Sequence, residues 1–358
     1  MALALTLARR GLGRVWPNPA VGCVVVDAEG HIVGRGCTQD GGRPHAETEA
    51  LNQAGTKAKG ATAYVTLEPC AHQGQTPPCA QALIDAGVAR VVSALDDPDA
   101  RVAGKGHAML KAAGVDVRTG VHSAEARAVN EGFLSRVEHG RPTITLKLAT
   151  TLDGHIALHS GESRWITGDR ARQHGHLVRS QHDAVMVGIG TALADDAQLT
   201  CRLPGVKADR LVRIVVDSGA RLELTSKLAT SAREQPVWLL TGSGADASAL
   251  AALGNVGVRV IEVPSPASRV DLSAALKMLG TEGLTRVLVE GGATLAASLL
   301  KAKLVDRLFW YRAPAVMGDG VSAVASLGSL GLGDLPRFRR EGTIRLGEDV
   351  LETYRTPT

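Results

Sequence analysis

Three metal-ligating side chains and one carboxylate constrain this chain more than any other feature. They lie in His45-Ala46-Glu47 and in Pro69-Cys70-Ala71-His72-Gln73-Gly74-Gln75-Thr76-Pro77-Pro78-Cys79. One imidazole and two thiols fill three corners of a tetrahedral zinc site, and a catalytic site leaves its fourth corner open to water. The fold must therefore bring His45, Cys70 and Cys79 to one point. Glu47 stands two residues beyond His45, where it can reach that water without being a ligand.

A His-x-Glu pair followed by Pro-Cys and a second cysteine is the signature of the zinc nucleobase deaminases. Zinc makes water nucleophilic near neutral pH. Glu47 is the candidate general acid and base. It takes the water's proton, protonates a ring nitrogen and helps ammonia leave. Eight residues separate Cys70 from Cys79, so the simplest C-x-x-C spacing is not met. The bland alternative is a closed four-ligand structural site with His72 as the fourth ligand, but such a site has no need of a His-x-Glu pair. Both halves are expected to open helices, over 45–54 and over 77–86, the second with its prolines in the first turn. Helix N-termini favour thiolate over thiol.

With 358 residues the chain is long enough for two ordinary domains. No stretch is long and apolar enough to cross a membrane. The opening MALALTLARRG lacks a basic segment ahead of its apolar part and reads as a core helix, not a signal. Five cysteines, at 23, 37, 70, 79 and 201, are too scattered for a disulfide framework. Cys23 lies in an apolar run and reads as a buried thiol. A cytoplasmic enzyme is expected. The net charge of +4 is mild, aromatics make up 3%, and there is no Lys/Arg block. Stacking platforms for nucleic acid are therefore scarce, and the expected partner is a small molecule, with neither nucleic acid nor membrane.

Strands alternating with helices predict an α/β chain, with a three-layer α/β/α domain over residues 1–140. Glu138-His139-Gly140-Arg141-Pro142 is the break, and a second α/β pattern follows over 141–358. There the strand Thr143–Thr150 carries Lys147, whose bland reading is an exposed strand lysine. Arg179 falls in a predicted helix (169–181) and reads by default as a solvated charge. In Val287-Leu288-Val289-Glu290-Gly291-Gly292-Ala293-Thr294-Leu295 a β-rich run feeds glycines and then a helix, whose first amides can hold a phosphate. An ordinary tight turn would look the same. Gly188-Ile189-Gly190-Thr191 is half a dinucleotide fingerprint. The segment from Thr343 to Tyr354 is strand-like.

Taken in order, the motifs Pro17-Asn18-Pro19, Val21-Gly22-Cys23, HAE, the TPPC-type loop, KLATTLDG, SGESRWIT, LADDAQLT and VEGG resemble one family. It is the family of bifunctional riboflavin-biosynthesis enzymes, a diaminohydroxyphosphoribosylaminopyrimidine deaminase joined to a 5-amino-6-(5-phosphoribosylamino)uracil reductase. The resemblance covers nearly the whole chain. It implies a cytidine-deaminase-like first domain with one Zn2+ on His45, Cys70 and Cys79, which removes the pyrimidine 2-amino group. It implies a dihydrofolate-reductase-like second domain that uses NADPH to reduce ribosyl to ribityl.

Matched motif by motif, the resemblance implies NADPH contacts at Ala149, Trp165, Thr191, Asp195, Ser218 and the segment Gly292, Ala293, Thr294, Leu295 to Ser298. It implies substrate contacts at Ser163, Arg179, Leu199, Arg202 and Glu290, and in the first domain at Asn18 and His72. Arg179 and Arg202 suit a phosphate, because guanidinium pairs with it in bidentate fashion. Lys147 is the candidate to polarise or protonate the sugar. A homo-oligomer, dimer or tetramer, is also implied. The chain departs from the family at Cys37-Thr38, where an aromatic and a histidine are usual, and at Gln75, where Arg or Lys is common. Both changes bear on substrate phosphate binding and leave the zinc chemistry untouched.

Two competing functions remain open on residues alone. One is a nucleoside or tRNA deaminase whose second domain serves only assembly, which predicts no NADPH binding. The other is a zinc-stabilised binding module, which predicts a closed site indifferent to Glu47.

Overall fold

The computed structural model describes residues 1–72, 77–99, 103–266, 269–328 and 331–357. Contacts divide the chain into two units, Met1–Gly140 and Arg141–Thr358. No helix among the described residues is long and apolar enough to cross a membrane.

The first unit runs α1 (Ala2–Arg9), β1 (Gly22–Val26), β2 (Ile32–Cys37), α2 (Ala46–Ala54), β3 (Thr62–Val65), α3 (Cys79–Asp85), β4 (Arg90–Ser93), α4 (Lys105–Ala112), β5 (Asp116–Arg118) and α5 (Ser123–His139). Its described strands form one sheet in the order β2-β1-β3-β4-β5. Strand β1 is antiparallel to β2 and β3, and β3, β4 and β5 run parallel. Both faces are covered. Cys23 and Val25 pack with Ala46 and Ala50 of α2, Leu83 of α3 and Leu110 of α4. Leu5 and Ala8 of α1 pack with Ala126 and Val129 of α5. Cys23 is a fully buried thiol, as its apolar run implies. The expected three layers are present.

One local expectation needs correction. The prolines do not lie in the first turn of α3. Pro78 is its N-cap, with extended ψ of 140°, and the helix begins at Cys79. A proline there would have no N–H to offer, whereas Cys79 donates its own N–H to the sulfur of Cys70 at 3.3 Å. The segment from Thr343 to Tyr354 is strand-like, as expected. It is a hairpin of two antiparallel strands that turns at Gly347, whose φ is +74°.

The second unit runs β6 (Thr143–Thr150), β7 (His155–Ala157), α6 (Asp169–Ser180), β8 (Ala184–Gly188), α7 (Ile189–Asp195), β9 (Val212–Val216), α8 (Lys227–Thr230), β10 (Val237–Gly242), α9 (Ala247–Asn255), β11 (Arg259–Val263), α10 (Leu272–Thr281), β12 (Arg286–Glu290), α11 (Ala293–Lys301), β13 (Arg307–Arg312), β14 (Val321–Ser322), β15 (Arg339–Leu346) and β16 (Asp349–Arg355). The main sheet has the order β11-β10-β9-β8-β12-β6-β13-β16-β15. It is parallel from β11 to β13, and β16 and β15 close it antiparallel. From β8 the chain steps outward through β9 and β10 to β11. It then returns to place β12 between β8 and β6. The order reverses at the β8–β12 seam, and ligands of open parallel sheets bind outside the strand C-termini at such a reversal.

The first sheet sits very close to α2. A Cβ on Gly36 would lie 2.1 Å from the carbonyl oxygen of Ala46 and 2.7 Å from the nitrogen of Ala50. The substitution Gly36→Ala should therefore push α2 off β2 and cost about 1–3 kcal/mol. Because α2 carries His45 at its cap and Glu47 in its first turn, zinc affinity should fall as well. Chemical denaturation and a competitive chelator titration read the two effects, and unchanged zinc affinity would disprove the coupling.

Candidate functional site

In the first unit, the end of β2, the start of α2 and the start of α3 converge. His45 caps α2 with extended backbone (φ −72°, ψ 159°), which turns its ring away from the helix. Its Nδ1 lies 3.2 Å from Cys79 Sγ and 3.7 Å from Cys70 Sγ. The three ligand atoms fall within 4.8 Å of one another. Zn–N and Zn–S bonds of about 2.1 and 2.3 Å at tetrahedral angles put ligand atoms roughly 3.6 Å apart, so the donor set fits zinc. All five cysteines are unpaired, so both thiols are available. His72 is not a member of the trio, which leaves the fourth corner open and argues against the closed four-ligand alternative.

Glu47 is 4% exposed. Burial pushes its carboxyl up to about 7, against the opposing pull of His45. The Cys79 thiol, donating to Cys70, holds the latter down at about 4, with His45 adding to the effect. The same contact drives Cys79 upward.

A cavity of about 310 Å3 opens over the trio, and Asn18, Thr38, His72 and Glu47 line it. Asn18 is held by donating to the Gly41 carbonyl at 3.4 Å. It presses against Gly42, where a Cβ would fall 1.8 Å from Asn18 Nδ2 and φ is +92°. Thr38 is buried. It accepts from the Val21 N–H at 3.0 Å and donates to the Pro19 carbonyl at 3.2 Å, so it ties the Pro17–Pro19 loop to the end of β2. The Nδ1 of His72 is buried without a hydrogen-bond partner. Gln75 lies outside the described residues.

Sequence reasoning missed three residues here. Glu68 is buried. It accepts backbone N–H groups of Asp97, Gly104, Gly106 and His107 at 2.9–3.2 Å, and so holds the β4–α4 connection beside the cavity. Its position in Leu67-Glu68-Pro69-Cys70 was an available signal. Arg43 and Arg136 both line the cavity. Arg43 could have been read from its place next to the HAE motif. Arg136, on α5, carries no local signal.

In the second unit a cavity of about 1200 Å3 lies over the β8–β12 seam. It gathers Lys147, Ala149, Ser163, Arg179, Thr191, Asp195, Leu199, Ser218 and Glu290, with Gly292, Ala293, Thr294, Leu295 and Ser298. Two expected contacts stand outside this lining. Trp165 is 66% exposed, with the Arg172 guanidinium 4.4 Å from its ring centroid. Arg202 is exposed, and its N–H faces His176 Nδ1 at 3.4 Å.

Parallel pairing puts Glu290 of β12 directly beside Lys147 of β6. Lys147 Nζ lies 3.8 Å from Glu290 Oε2 and 5.4 Å from the Tyr311 ring centroid. Arg179 reaches in from α6. Its Nε and Nη2 donate to the two Glu290 oxygens at 2.5 and 3.0 Å, and its Nη1 donates to the Thr200 carbonyl at 2.8 Å. Neither side chain is an idle surface charge. Three of the five N–H groups of Arg179 are thereby engaged, and two remain. Burial works to raise the Glu290 carboxyl, but Arg179 and Lys147 outweigh it and hold the group at about 2. Burial lowers Lys147, and Glu290 pulls it back up.

The VEGG turn is a cradle that a side chain would fill. Gly291 and Gly292 have φ of +86° and +87°, and a Cβ on either would come 3.2–3.3 Å from the Thr191 side chain. Open amides at the start of α11 and bare backbone at the seam suit a dinucleotide pyrophosphate. Leu199 also has a left-handed φ, +55°, inside the lining.

Comparison with known proteins matches this division. The family model for the cytidine and deoxycytidylate deaminase zinc-binding region matches residues 1–95, and that for the RibD C-terminal domain matches 142–351. The chain is 42% identical to the riboflavin biosynthesis protein RibD of Escherichia coli, over 98% of this chain and 96% of that one. It is 39% identical to RibD of Bacillus amyloliquefaciens, over 98% and 94%. The solved structure of Acinetobacter baumannii RibD (form 1) aligns with TM-score 0.88 at 38% identity, covering 100% of this chain and 98% of that one. The diaminohydroxyphosphoribosylaminopyrimidine deaminase/5-amino-6-(5-phosphoribosylamino)uracil reductase of Thermotoga maritima aligns with TM-score 0.87 at 34% identity, covering 100% and 97%.

The Glu290 cluster makes a pH prediction. Its folded value of about 2 lies below the ordinary 4.5. The stability its ionisation contributes, roughly 3 kcal/mol by linkage, is complete above 4.5 and is lost as pH falls through 2. Urea denaturation should show Glu290→Gln less stable than wild type at neutral pH, with the gap narrowing from about pH 5 to pH 3. A gap independent of pH would contradict the ion-pair reading.

Proposed function

The chain belongs to the RibD family of bifunctional deaminase/reductase enzymes of riboflavin biosynthesis, and we propose a division of labour between its two sites on that premise. The first unit deaminates a phosphoribosylaminopyrimidine through His45, Cys70, Cys79 and Glu47. The second reduces the ribosyl side chain of the deaminated product with NADPH, through Lys147 and the lining of the seam cavity. The observation that carries the reading is the convergence of one imidazole and two thiols beside a buried carboxylate that is not one of them.

One zinc per chain would be held by His45, Cys70 and Cys79. It supplies a Lewis acid that makes water nucleophilic near neutral pH. Glu47 then does the proton work. It accepts a proton from the attacking water, gives one to the ring nitrogen, and passes another to the departing amine. Water supplies the oxygen of the new carbonyl and ammonia leaves. Asn18 and His72 hold the pyrimidine, and the buried, unpartnered Nδ1 of His72 is the donor or acceptor poised to face it.

In the second unit NADPH, when bound, would supply a hydride equivalent for reduction at C1′ of the sugar. Lys147 gives its proton to the ring oxygen as the bond from that oxygen to C1′ breaks, so the C1′–nitrogen unit keeps its own proton and C1′ is left to take up the hydride. Glu290 keeps Lys147 in place through their 3.8 Å contact. Ser163, Leu199, Arg179 and Arg202 border the substrate side, and the two arginines meet its phosphate. Ala149, Thr191, Asp195, Ser218 and Gly292–Leu295 border the cofactor, and Trp165 is assigned to its outer edge. The reading in which the second unit serves only assembly is not favoured, because the RibD C-terminal domain model spans 142–351.

The test is a mass-spectrometric time course on the diaminopyrimidine ribosyl phosphate, with and without NADPH. Amine-to-carbonyl exchange should occur in both samples, and a gain of two hydrogens only with NADPH. The variant Glu47→Gln should keep its zinc by elemental analysis and lose deamination by about 100-fold or more, while still reducing the deaminated intermediate. Loss of both activities in a folded Glu47→Gln protein would refute the separation. Lys147→Met should do the reverse, with reduction down by about 100-fold or more and deamination intact. Full reduction in that variant would remove Lys147 from the mechanism.

A further inference from the structure

We infer that Tyr311, tethered by His174, is a positioning residue for the reduction, and that its ring holds the Lys147 ammonium in place beside Glu290. This role rests on the reading of the second unit as a reductase with Lys147 as its acid, and deepens it.

The placement follows from strand register. Strand β13 runs parallel to β6, with Phe309 opposite Lys147 and Tyr311 opposite Ala149. Side chains two residues apart on a strand share a face, so Tyr311 stands diagonally across from Lys147 on the same face of the sheet. Lys147 Nζ lies 5.4 Å from the Tyr311 ring centroid, inside the distance of about 6 Å over which a ring face attracts an ammonium. On the other flank β12 pairs Glu290 with Lys147, and Nζ lies 3.8 Å from Glu290 Oε2. A carboxylate and a ring therefore bracket the ammonium from the two strands that neighbour its own.

Tyr311 is itself fixed from two directions. It is buried and packs with Ala171 and Leu351. Its hydroxyl lies 2.8 Å from His174 Nδ1. Burial pushes the hydroxyl up and the imidazole down, so a neutral hydroxyl meets a neutral ring. His174 sits on α6, the helix that also carries Arg179. Arg179 in turn holds both oxygens of Glu290. One helix thus fixes both groups that flank Lys147, the carboxylate through Arg179 and the ring through His174.

Neither Tyr311 nor His174 is among the described residues that line the cavity, so both act through Lys147 and not on the substrate. A lysine is a point charge on a flexible four-carbon stem, and two contacts fix its head better than one. The acid of the reduction must also carry its proton, and burial works against that. Glu290 of β12 favours the charged form and Arg179 of α6 opposes it. The Tyr311 ring face of β13 favours it, and the neutral His174 of α6 keeps that face turned to the ammonium. An aliphatic side chain at 311 would remove one of the two favourable contacts.

The experiment is the pH profile of reduction, resolved into kcat and KM, for the full-length protein and for Tyr311→Leu, Tyr311→Phe, His174→Ala and the Tyr311→Phe/His174→Ala double variant. Titration calorimetry of NADPH reports whether each variant is folded. The alkaline limb of kcat/KM marks the acid's loss of its proton. In Tyr311→Leu that limb should move down by about one pH unit and kcat should fall about 10-fold. Its KM should stay within about twofold, because no substrate contact is lost. Tyr311→Phe keeps the ring and loses the tether, so kcat should fall only about 3-fold with the limb in place. His174→Ala should match it, and the double variant should be no worse than either single one, since all three break the same bond. Weakened NADPH binding with an unmoved limb in Tyr311→Leu would show a structural role and overturn the assignment. So would wild-type kcat and limb in Tyr311→Leu, or additive losses in the double variant. Full reduction by Lys147→Met, or none by wild type, would overturn it together with the reading of the reductase site itself.

Discussion

Helix α2 lies on strand β2 with backbone against backbone, and the deaminase site depends on that approach. A methyl group on Gly34 or Gly36 would fall 2.1 Å from a carbonyl oxygen of the helix. Because nothing intervenes, the cap and first turn of α2 deliver His45 and Glu47 to the point where Cys70 and Cys79 arrive from the next crossover. The reductase unit uses the same device at a different place. Gly291 and Gly292 approach Thr191 closely while holding left-handed φ, so backbone amides and not side chains face the seam. In both units a missing Cβ converts strand-to-helix packing into a site.

Buried carboxylates divide the remaining work. Glu68 receives four backbone N–H groups and organises a loop. Asp217 receives three, and additionally anchors an arginine. Glu290 is different, because its partners are charged side chains. A buried carboxylate is tolerated only with compensating hydrogen bonds or charge, and the kind of compensation decides its role. Backbone partners make it a fixed structural anchor. Cationic side chains make it an electrostatic element that can position Lys147 and respond to ligand.

Thr38 shows how a departure from a family pattern is absorbed. A hydroxyl here bridges the Pro17–Pro19 loop and β2, a local task that leaves phosphate binding to other groups. Arg43 and Arg136 border the same cavity. Only Arg43 lies near a motif. Arg136 comes from a helix about ninety residues further on, and only tertiary packing places it there.

That His45, Cys70, Cys79 and Glu47 belong together, that strands alternate with helices and that the chain breaks near residue 140 could all be read from the chain, because each is a local statement about residue type and spacing. The β6 and β12 runs were legible as strands for the same reason. That Glu290 meets Lys147 was not, since it follows from two strands far apart in sequence becoming parallel neighbours. Nor could spacing show that Asp217 is consumed within its own turn, or that Arg179 spends three N–H groups on Glu290 and Thr200. Trp165 sits in a motif and Arg202 two residues beyond one, yet both lie outside the cavity lining, because a motif records residue identity and the loop path decides exposure. Sequence determined which chemical groups this protein owns. Only the tertiary structure decided which of them face one another, because long-range contacts depend on sheet order and close packing, which no local spacing encodes.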